Sequence, residues 1–459
     1  MTSRQDVQQW GRQELPETIT KEFVSMATFE RAIDQVFLTV RRDLLQQVTQ
    51  EAADQVEPIC PRCSEFLTVV DRNRSRTVQS QFGMIEFRRA YGLCPACQEH
   101  FAPADYRLGL HERAKASPRV QEIAALSVLR APANQATEDI LRLTGIEISA
   151  STLHREARRQ GERALQLREE DELLTQHAKG IKLLRAQAPA VNANATMIIE
   201  IDAWNIRERD NWGRTEALQK EGRDPGRWHW VYTGTVFLLD QRGETASGRA
   251  VISSRGYVAT RKGIESFRNQ LYAEALRRGM SQCATVLVLA DGAAWIWNLA
   301  NDRFAQAKQR LDLYHARQHL WALAGELHGS ETEEAEAWVR PYVRWLESRT
   351  DGAADVIEGL EALRERLDEF SAKQAEVLER ELNYFRNHQD RMDYKTGKAR
   401  GEPVGSGAIE STCAQYQRRF KLTGQFWSLE GDEAFLALHT LHRNGRWAHL
   451  FPQEKSLRN

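Results

Sequence analysis

No stretch of the 459-residue chain holds the roughly 18 consecutive apolar residues of a membrane helix, so no transmembrane span is expected. The opening MTSRQDVQQWGRQELPE is polar and lacks the apolar centre of a secretory signal, which points to the cytoplasm. Net charge is nearly absent: 63 basic and 64 acidic residues leave −1. That excludes a globally basic nucleic-acid binder, and any contact with nucleic acid must come from local patches. Cysteine is scarce, at six residues, which in a chain without a secretion signal suggests metal ligation rather than disulfides. What is present, 41% hydrophobic and 28% charged residues, fits a globular protein. The length exceeds what one hydrophobic core can serve and predicts about three domains.

Residues 1–56 read as helical. Phe29, Ile33, Val36, Val40, Leu44 and Val48 recur at spacings of three and four and describe an apolar face, expected to pack on a neighbour, with a dimer surface as the alternative. Residues 57–110 hold two Cys-x-x-Cys knuckles, Cys60 with Cys63 and Cys94 with Cys97. They flank a predicted hairpin that turns at Gly83. This is the pattern of a zinc ribbon, against free thiols or a redox pair, and four thiolates make the site structural. Arg72, Arg74, Arg76, Arg88 and Arg89 on the hairpin either face phosphate or are simply solvated.

Residues 111–185 read as a helical module. Ser117 and Pro118 start one helix, Gly145 ends the next, and Ser149 caps a third. The last pair resembles a helix-turn-helix whose second helix carries Thr152, His154, Arg155, Arg158 and Arg159, although helical hairpins without DNA contact share the pattern. The uncharged AQAPAVNANA, residues 186–195, marks a domain boundary.

Strand-like periodicity begins with TMIIEIDAWNI, which places Asp202 near a strand end. WHWVYTGTVFLLD and ASGRAVISSRGYVA follow, then a helix, then ATVLVLADG with Asp291 at a strand end. Three strands, a helix, a strand and a helix match the order of a ribonuclease-H-like α/β sheet over residues 196–325, continued by the final helices of 401–459. In such sheets functional groups gather at the carboxyl ends of strands. Residues 326–400 read as a helical insertion, and within 331–370 twelve acids face five bases, which suits a solvated surface rather than DNA. His315 and His319 have metal-chelating helical spacing, but with no second cluster nearby the preferred role is packing or proximity to DNA.

The stretch PVGSGAIESTCAQYQRRFKLTGQFW, residues 403–427, combines a Gly405-Ser406-Gly407 turn with Glu410 in the first turn of a helix and Arg418, Arg419 and Lys421 further on. Alone, Glu410 reads equally well as a helix cap. With Asp202 and Asp291 it completes a set of carboxylates of the kind that hold Mg²⁺ or Mn²⁺ for phosphoryl transfer. The basic trio would then hold DNA backbone, or be a solvated helix end.

CPRC, CPAC, FAPADYRLGL, IEIDAWN, LADGAAWIW, LDLYHARQHLW, RMDY, GSGAIEST and RRFKLTGQFWS together resemble bacterial DDE transposases of the Kra family of insertion sequences. More distantly they resemble other ribonuclease-H-like transposases such as the Mutator-like group. The likeness spans about residues 55–450. It implies a multidomain α+β protein with a catalytic triad of Asp202, Asp291 and Glu410, a divalent catalytic metal and structural zinc. It further implies double-stranded transposon-end and target DNA as partners, a homodimer or larger assembly on DNA, and a nucleoid-associated location. One departure is Ala203, where glycine often follows the first aspartate. The competing reading is a catalytically silent, transposase-derived DNA-binding protein. A zinc hydrolase would need an open metal site, which four cysteines do not leave.

Overall fold

A computed structural model describes residues 4–13, 25–110, 114–209, 215–222, 226–366, 368, 370–423, 425–428 and 430–452. Its contacts divide the chain into two units, Met1–Gln160 with Phe451–Asn459, and Gly161–Leu450.

The first unit begins with α1 (Arg4–Gln13) and the 29-residue α2 (Met26–Asp54). The apolar face read from the sequence is not the one α2 buries: Ile33, Val40, Leu44 and Val48 are exposed. The helix instead lies against β2 (Gly83–Leu93), which pairs with β1 (Thr68–Ser80) on its other side. Among the described residues β2 has no strand on its second side around residues 86–88, its open backbone needs partners, and two glutamine amides supply them. Glu86 N–H donates to Gln46 Oε1 (3.1 Å), while Arg88 exchanges two bonds with the Gln50 amide (2.8 and 3.0 Å). The β1–β2 hairpin closes at Gly83, where φ is +111° and a side chain would be strained. Val78, Ile85 and Phe87 pack with Ala53, Ala104 and Leu110. β3 (His100–Phe101) and α3 (Pro103–Arg107) follow, then α4 (Pro118–Val128), α5 (Ala133–Thr144) and α6 (Ala150–Leu174). Gly145, at φ +71°, ends α5 with its N–H on Leu141 O, and Ser149 Oγ accepts the Thr152 N–H at 3.3 Å.

Residues 186–195 do not divide the chain; the division falls inside α6. The reason is packing: Leu184 of α7 (Ala178–Ala186) is buried with Ala273 and Leu276 of α9, the helix Ile264–Arg277. The segment before the uncharged stretch therefore belongs with the sheet that follows it.

That sheet, in the second unit, contains β4 (Thr196–Arg209), β5 (Gly226–Leu238), β8 (Gly256–Thr260), β9 (Thr285–Ala290) and β10 (Lys308–Leu311), in the order β10-β9-β4-β5-β8. β4, β5 and β8 are antiparallel neighbours, and β9 and β10 run parallel to β4. α8 (Thr215–Lys220) lies between β4 and β5, and β6 (Arg242–Glu244) with β7 (Ala250–Ile252) forms a separate small sheet. The single strand expected across 246–259 is thus two, β7 and β8.

Met197, Ile199 and Ile201, on one face of the first half of β4, join a core with α9, α10 (Ala294–Arg303) and the helices α11 (Leu313–His328), α12 (Glu333–Ser348), α13 (Gly352–Arg364) and α14 (Ala372–His388). Trp338 and Trp345 pack at its margin around Tyr342. α15 (Tyr394–Ala399) leads to α16 (Gly407–Phe420) and α17 (Gly431–Arg443). The even-numbered face of β4 meets α16, with Ile198, Phe237 and Leu287 beside Ala408. The chain is therefore a multidomain α/β protein with a mixed five-stranded sheet and helices between β10 and α16.

Candidate functional site

Three aspartates occupy equivalent positions on three adjacent strands. The parallel ladder of β4 with β9 ends at Ile201↔Ala290, and that of β9 with β10 at Ala290↔Leu311. The residue after each of these is Asp202, Asp291 or Asp312. Parallel strands open onto a crevice at this edge, and functional groups collect there. β4 runs three residues beyond the strand expected over 196–206, continuing past Asp202 to Arg209 paired only with β5.

Asp202 is half-buried, and its Oδ1 accepts the Ala203 N–H at 2.6 Å. Burial raises its carboxyl above the ordinary range and the charge of Asp291 adds to this, against the opposing Ala203 N–H and the Cys413 thiol. Asp291 Oδ1 accepts the Ala293 N–H at 3.0 Å and shapes the turn into α10. Gly292 in that turn has φ +103°, and a Cβ there would lie 2.9 Å from Leu311 and 3.2 Å from the Tyr384 hydroxyl. Asp312 is fully buried and caps α11 by accepting the His315 N–H at 2.9 Å. Its other oxygen accepts the Ser406 N–H. Burial opposes its ionisation, but the hydrogen bonds from His315 and Ser406 prevail and hold it down to about 2.

Glu410 is exposed in the first turn of α16, where Ser406 Oγ donates to its Oε1 at 3.2 Å. This side-chain bond is not a cap: among the described residues no side chain of the first turn, Glu410 included, accepts a backbone N–H there. What fixes the start of α16 is a pair of buried carboxylates from the sheet: Asp312 on the Ser406 N–H, and Glu200 Oε2 on the Ile409 N–H at 2.8 Å. Neither Gly405 nor Gly407 has a positive φ, so this turn is held by carboxylates rather than by glycine geometry. One turn on from Glu410, buried Cys413 contacts the Asp202 carboxylate; burial first, then the Asp202 charge, raises its thiol, and Glu410 contributes as well.

The imidazole of His315 is raised by its hydrogen bond to Asp312 (Nδ1–Oδ1 3.2 Å) and by the charges of Asp312, Asp291 and Asp202. His319 turns elsewhere, bonding Glu381 at 2.5 Å and stacking on Tyr384 with centroids 3.5 Å apart. The two histidines do not share one ligand position. Sequence reasoning missed Asp312, Glu200 and Cys413. The signal for Asp312 is the same as for Asp291, an acid directly after an apolar strand. For Glu200 it is an acid two residues before Asp202, on the same face of an otherwise apolar strand.

Among the described residues, one group of at least three metal-binding side chains has all donor atoms within 4.8 Å of one another: Cys60, Cys63, Cys94 and Cys97. Cys60 Sγ lies 3.9 Å from Cys97 Sγ, and Cys63 Sγ 3.4 Å from Cys94 Sγ. Tetrahedral Zn–S bonds near 2.3 Å require sulfurs about 3.8 Å apart. The donor set fits a structural metal such as zinc. Asp202 and Asp291 follow adjacent strand ladders at one edge of the sheet and Glu410 lies in α16; the three stand outside that close spacing. Carboxylate oxygens are the donor type that hard divalent ions take, and of the three acids Asp202 feels the charge of Asp291.

The remaining basic residues divide. Arg155 is exposed, and with Arg159 and Lys115 it lines an open cleft of about 680 Å³; Arg158 is half-buried on the same helix. Arg76 and Arg89 are instead buried on Asp105 and are not surface cations, whereas Arg72, Arg74 and Arg88 are exposed, Arg74 lying 3.9 Å over the Tyr91 ring. Arg418 and Lys421 are exposed. Arg419 is not a surface cation: burial brings it down to about 10, and its guanidinium lies 5.4 Å over Trp427.

At the far end of β4, Glu208 is fully buried between Arg261 Nε (2.6 Å), His229 (3.4 Å) and Asp432 of α17. Burial, then the hydrogen bond with Glu208, raises Asp432 to about 9, with Arg261 opposing and Glu433, itself paired with Arg168, adding to the rise. The folded chain therefore keeps a proton that the unfolded chain releases near its ordinary 3.8. Stability falls as pH rises across that interval and levels off above about 9. Asp432→Asn should flatten the dependence, with a gain on the order of a few kcal/mol at pH 9 relative to wild type. Urea midpoints at pH 5 and 9 measure it; an unchanged slope would refute the shared proton.

No protein-family model matches the chain, and no curated protein matches it. Among the described residues no helix is long and apolar enough to cross a membrane.

Proposed function

We propose that this protein is a DNA transposase of an insertion sequence, with a ribonuclease-H-like catalytic sheet and Asp202, Asp291 and Glu410 as its metal-binding triad. The observation that carries the reading is the row of acids just past the parallel ladder, joined through buried Asp312 and Glu200 to the helix that presents Glu410. The strand order β10-β9-β4-β5-β8, three antiparallel strands flanked by two parallel ones, supports the ribonuclease-H-like assignment. So does the helical segment between β10 and α16, which interrupts the domain as the resemblance implies.

Asp202, Asp291 and Glu410 would hold Mg²⁺ or Mn²⁺, which when bound stabilises charge developing on the attacking and leaving oxygens of a phosphodiester. Hydrolysis joins a water oxygen to the scissile phosphorus and frees a 3′-hydroxyl. In strand transfer that hydroxyl attacks a target phosphodiester and displaces one of its oxygens. Asp312 and Glu200 position Glu410 through the backbone of α16, and Cys413 orients Asp202. His315, paired with Asp312 beside the acids, would face the DNA phosphate as a hydrogen-bond donor. Assembly as a homodimer or larger on transposon-end and target DNA, at the nucleoid, belongs to the same reading.

The test is cleavage by the full chain, with Mg²⁺ or Mn²⁺, of DNA bearing the sequences that flank its coding region. Metal-dependent nicking is expected. If the chain bound those ends yet stayed as inert as Asp291→Ala, it would be a silent DNA-binding protein instead. Arg155 serves as a phosphate contact in this scheme. Arg155→Ala should weaken duplex binding with little sequence dependence and reduce the salt slope by about one unit. An unchanged slope would remove Arg155 from the interface.

A further inference from the structure

Past Asp202, β4 loses its partner β9, and past Tyr232 β5 loses β8. The two strands continue together to Arg209↔Gly226 as a two-stranded ribbon. One face of this ribbon is anchored: Trp204, Ile206, Glu208 and Val231 are buried, Arg209 N–H donates to Trp427 O at 3.0 Å, and Glu208 is gripped by Arg261. The other face carries Trp228 and Trp230, 59% and 54% exposed. In register opposite them stand Arg207 and Asn205. Arg207 lies 5.9 Å from the Trp228 ring, and Arg209 lies 3.9 Å from Phe426. Among the described residues of this face, Ala203, Asn205, Arg207, Arg209, Trp228, Trp230 and Tyr232, none is acidic.

Two indoles held largely in solvent on this ribbon forgo burial worth about 2 kcal/mol or more each. Interleaved with arginine, they form a surface complementary to a polyanion with flat apolar rings. Single-stranded nucleic acid has both properties, whereas a duplex hides its base faces by stacking. At about 3.3 Å per residue, the positions opposite Trp230 and Trp228 lie roughly 10–17 Å along β4 from Asp202.

We propose that the Trp228–Trp230 face binds single-stranded DNA, with unpaired bases stacked on the indoles and backbone phosphates against Arg207 and Arg209. That this strand emerges from the carboxylate edge rests on the transposase reading; the stacking surface does not.

The test is fluorescence anisotropy of the full chain, in an Asp291→Asn background so that nothing is cut, with a labelled single-stranded oligonucleotide and a blunt duplex of the same sequence. Trp228→Ala and Trp230→Ala should each weaken single-strand binding at least about fivefold, and Trp228→Phe/Trp230→Phe should recover most of it. Duplex affinity should stay within about twofold, since its contacts are mainly phosphate. Unchanged single-strand binding by the double alanine variant would overturn the proposal, as would a parallel fall in duplex binding that phenylalanine does not rescue. Loss of self-association in sedimentation with DNA binding intact would assign the face to a protein partner and overturn it too. Single-strand binding by a wild-type chain that cuts no DNA would uphold this surface while sinking the transposase reading.

Discussion

Asp202→Asn and Asp291→Asn are each expected to reduce metal-dependent DNA cleavage on the order of a thousandfold or more, because each removes a charged oxygen ligand from the proposed site. The same substitutions should not lower the melting temperature. Asp202 is raised partly by the charge of Asp291, so the two acids repel one another in the metal-free protein and deleting either charge relieves that repulsion. Lost activity with undiminished stability marks acids kept for chemistry, because asparagine keeps the Oδ1 acceptor each acid offers its turn and removes only the charge. The pH dependence has a definite sign. The ionised carboxylates are the active form, and the value of Asp202 lies above the usual carboxylate range, so activity should fall as pH drops through that raised value. Cleavage rates measured from pH 5 to 8, beside thermal melts of the same preparations, check both statements. A cut rate unaltered in both variants would end the assignment of the triad.

Removal of zinc should have the largest effect on stability. Four thiolates gathered within 4.8 Å and not joined as disulfides repel one another once ionised, and only a cation makes the cluster favourable. Cys60 and Cys94 are also buried with Leu67 and Phe101, so the metal holds a small hydrophobic cluster together. We expect about one zinc per purified chain. A zinc-selective chelator in magnesium buffer, or Cys94→Ser, should lower the melting of the first unit by at least about 10 °C. The sheet of the second unit has a separate core and should keep its own transition. Elemental analysis with calorimetry decides the matter; a zinc-free chain with an unchanged thermogram would return the cysteines to ordinary thiols.

Elements whose partners are close in sequence are legible from residue order alone. The hairpin turn at Gly83, the caps at Ser117 and Ser149 and the left-handed Gly145 rest on interactions within a few residues, and residue type specifies them. The four cysteines are equally legible, because two knuckles bring their own ligands and any hairpin between them closes the site. Asp291 is recognisable as an acid following an apolar strand. The buried face of α2 is not legible in this way, because helical periodicity shows which residues share a face and not which face meets a partner. Gln46 and Gln50, polar by composition, decide that packing by satisfying a strand edge contributed by residues 86–88.

Residue order therefore specifies local matters: which segments turn, where helices begin, and that a metal-binding ribbon and a set of acids are present. Only folding puts Asp202, Asp291 and Asp312 in one row, because strand order and register are set by pairings between residues about 20 to 90 positions apart. Folding likewise has Glu410 presented by Asp312 and Glu200, across separations of 94 and 209 residues, and leaves Arg419 buried while Trp228 and Trp230 are not. Burial depends on which surfaces come together after the chain has folded, and residue type does not encode that choice.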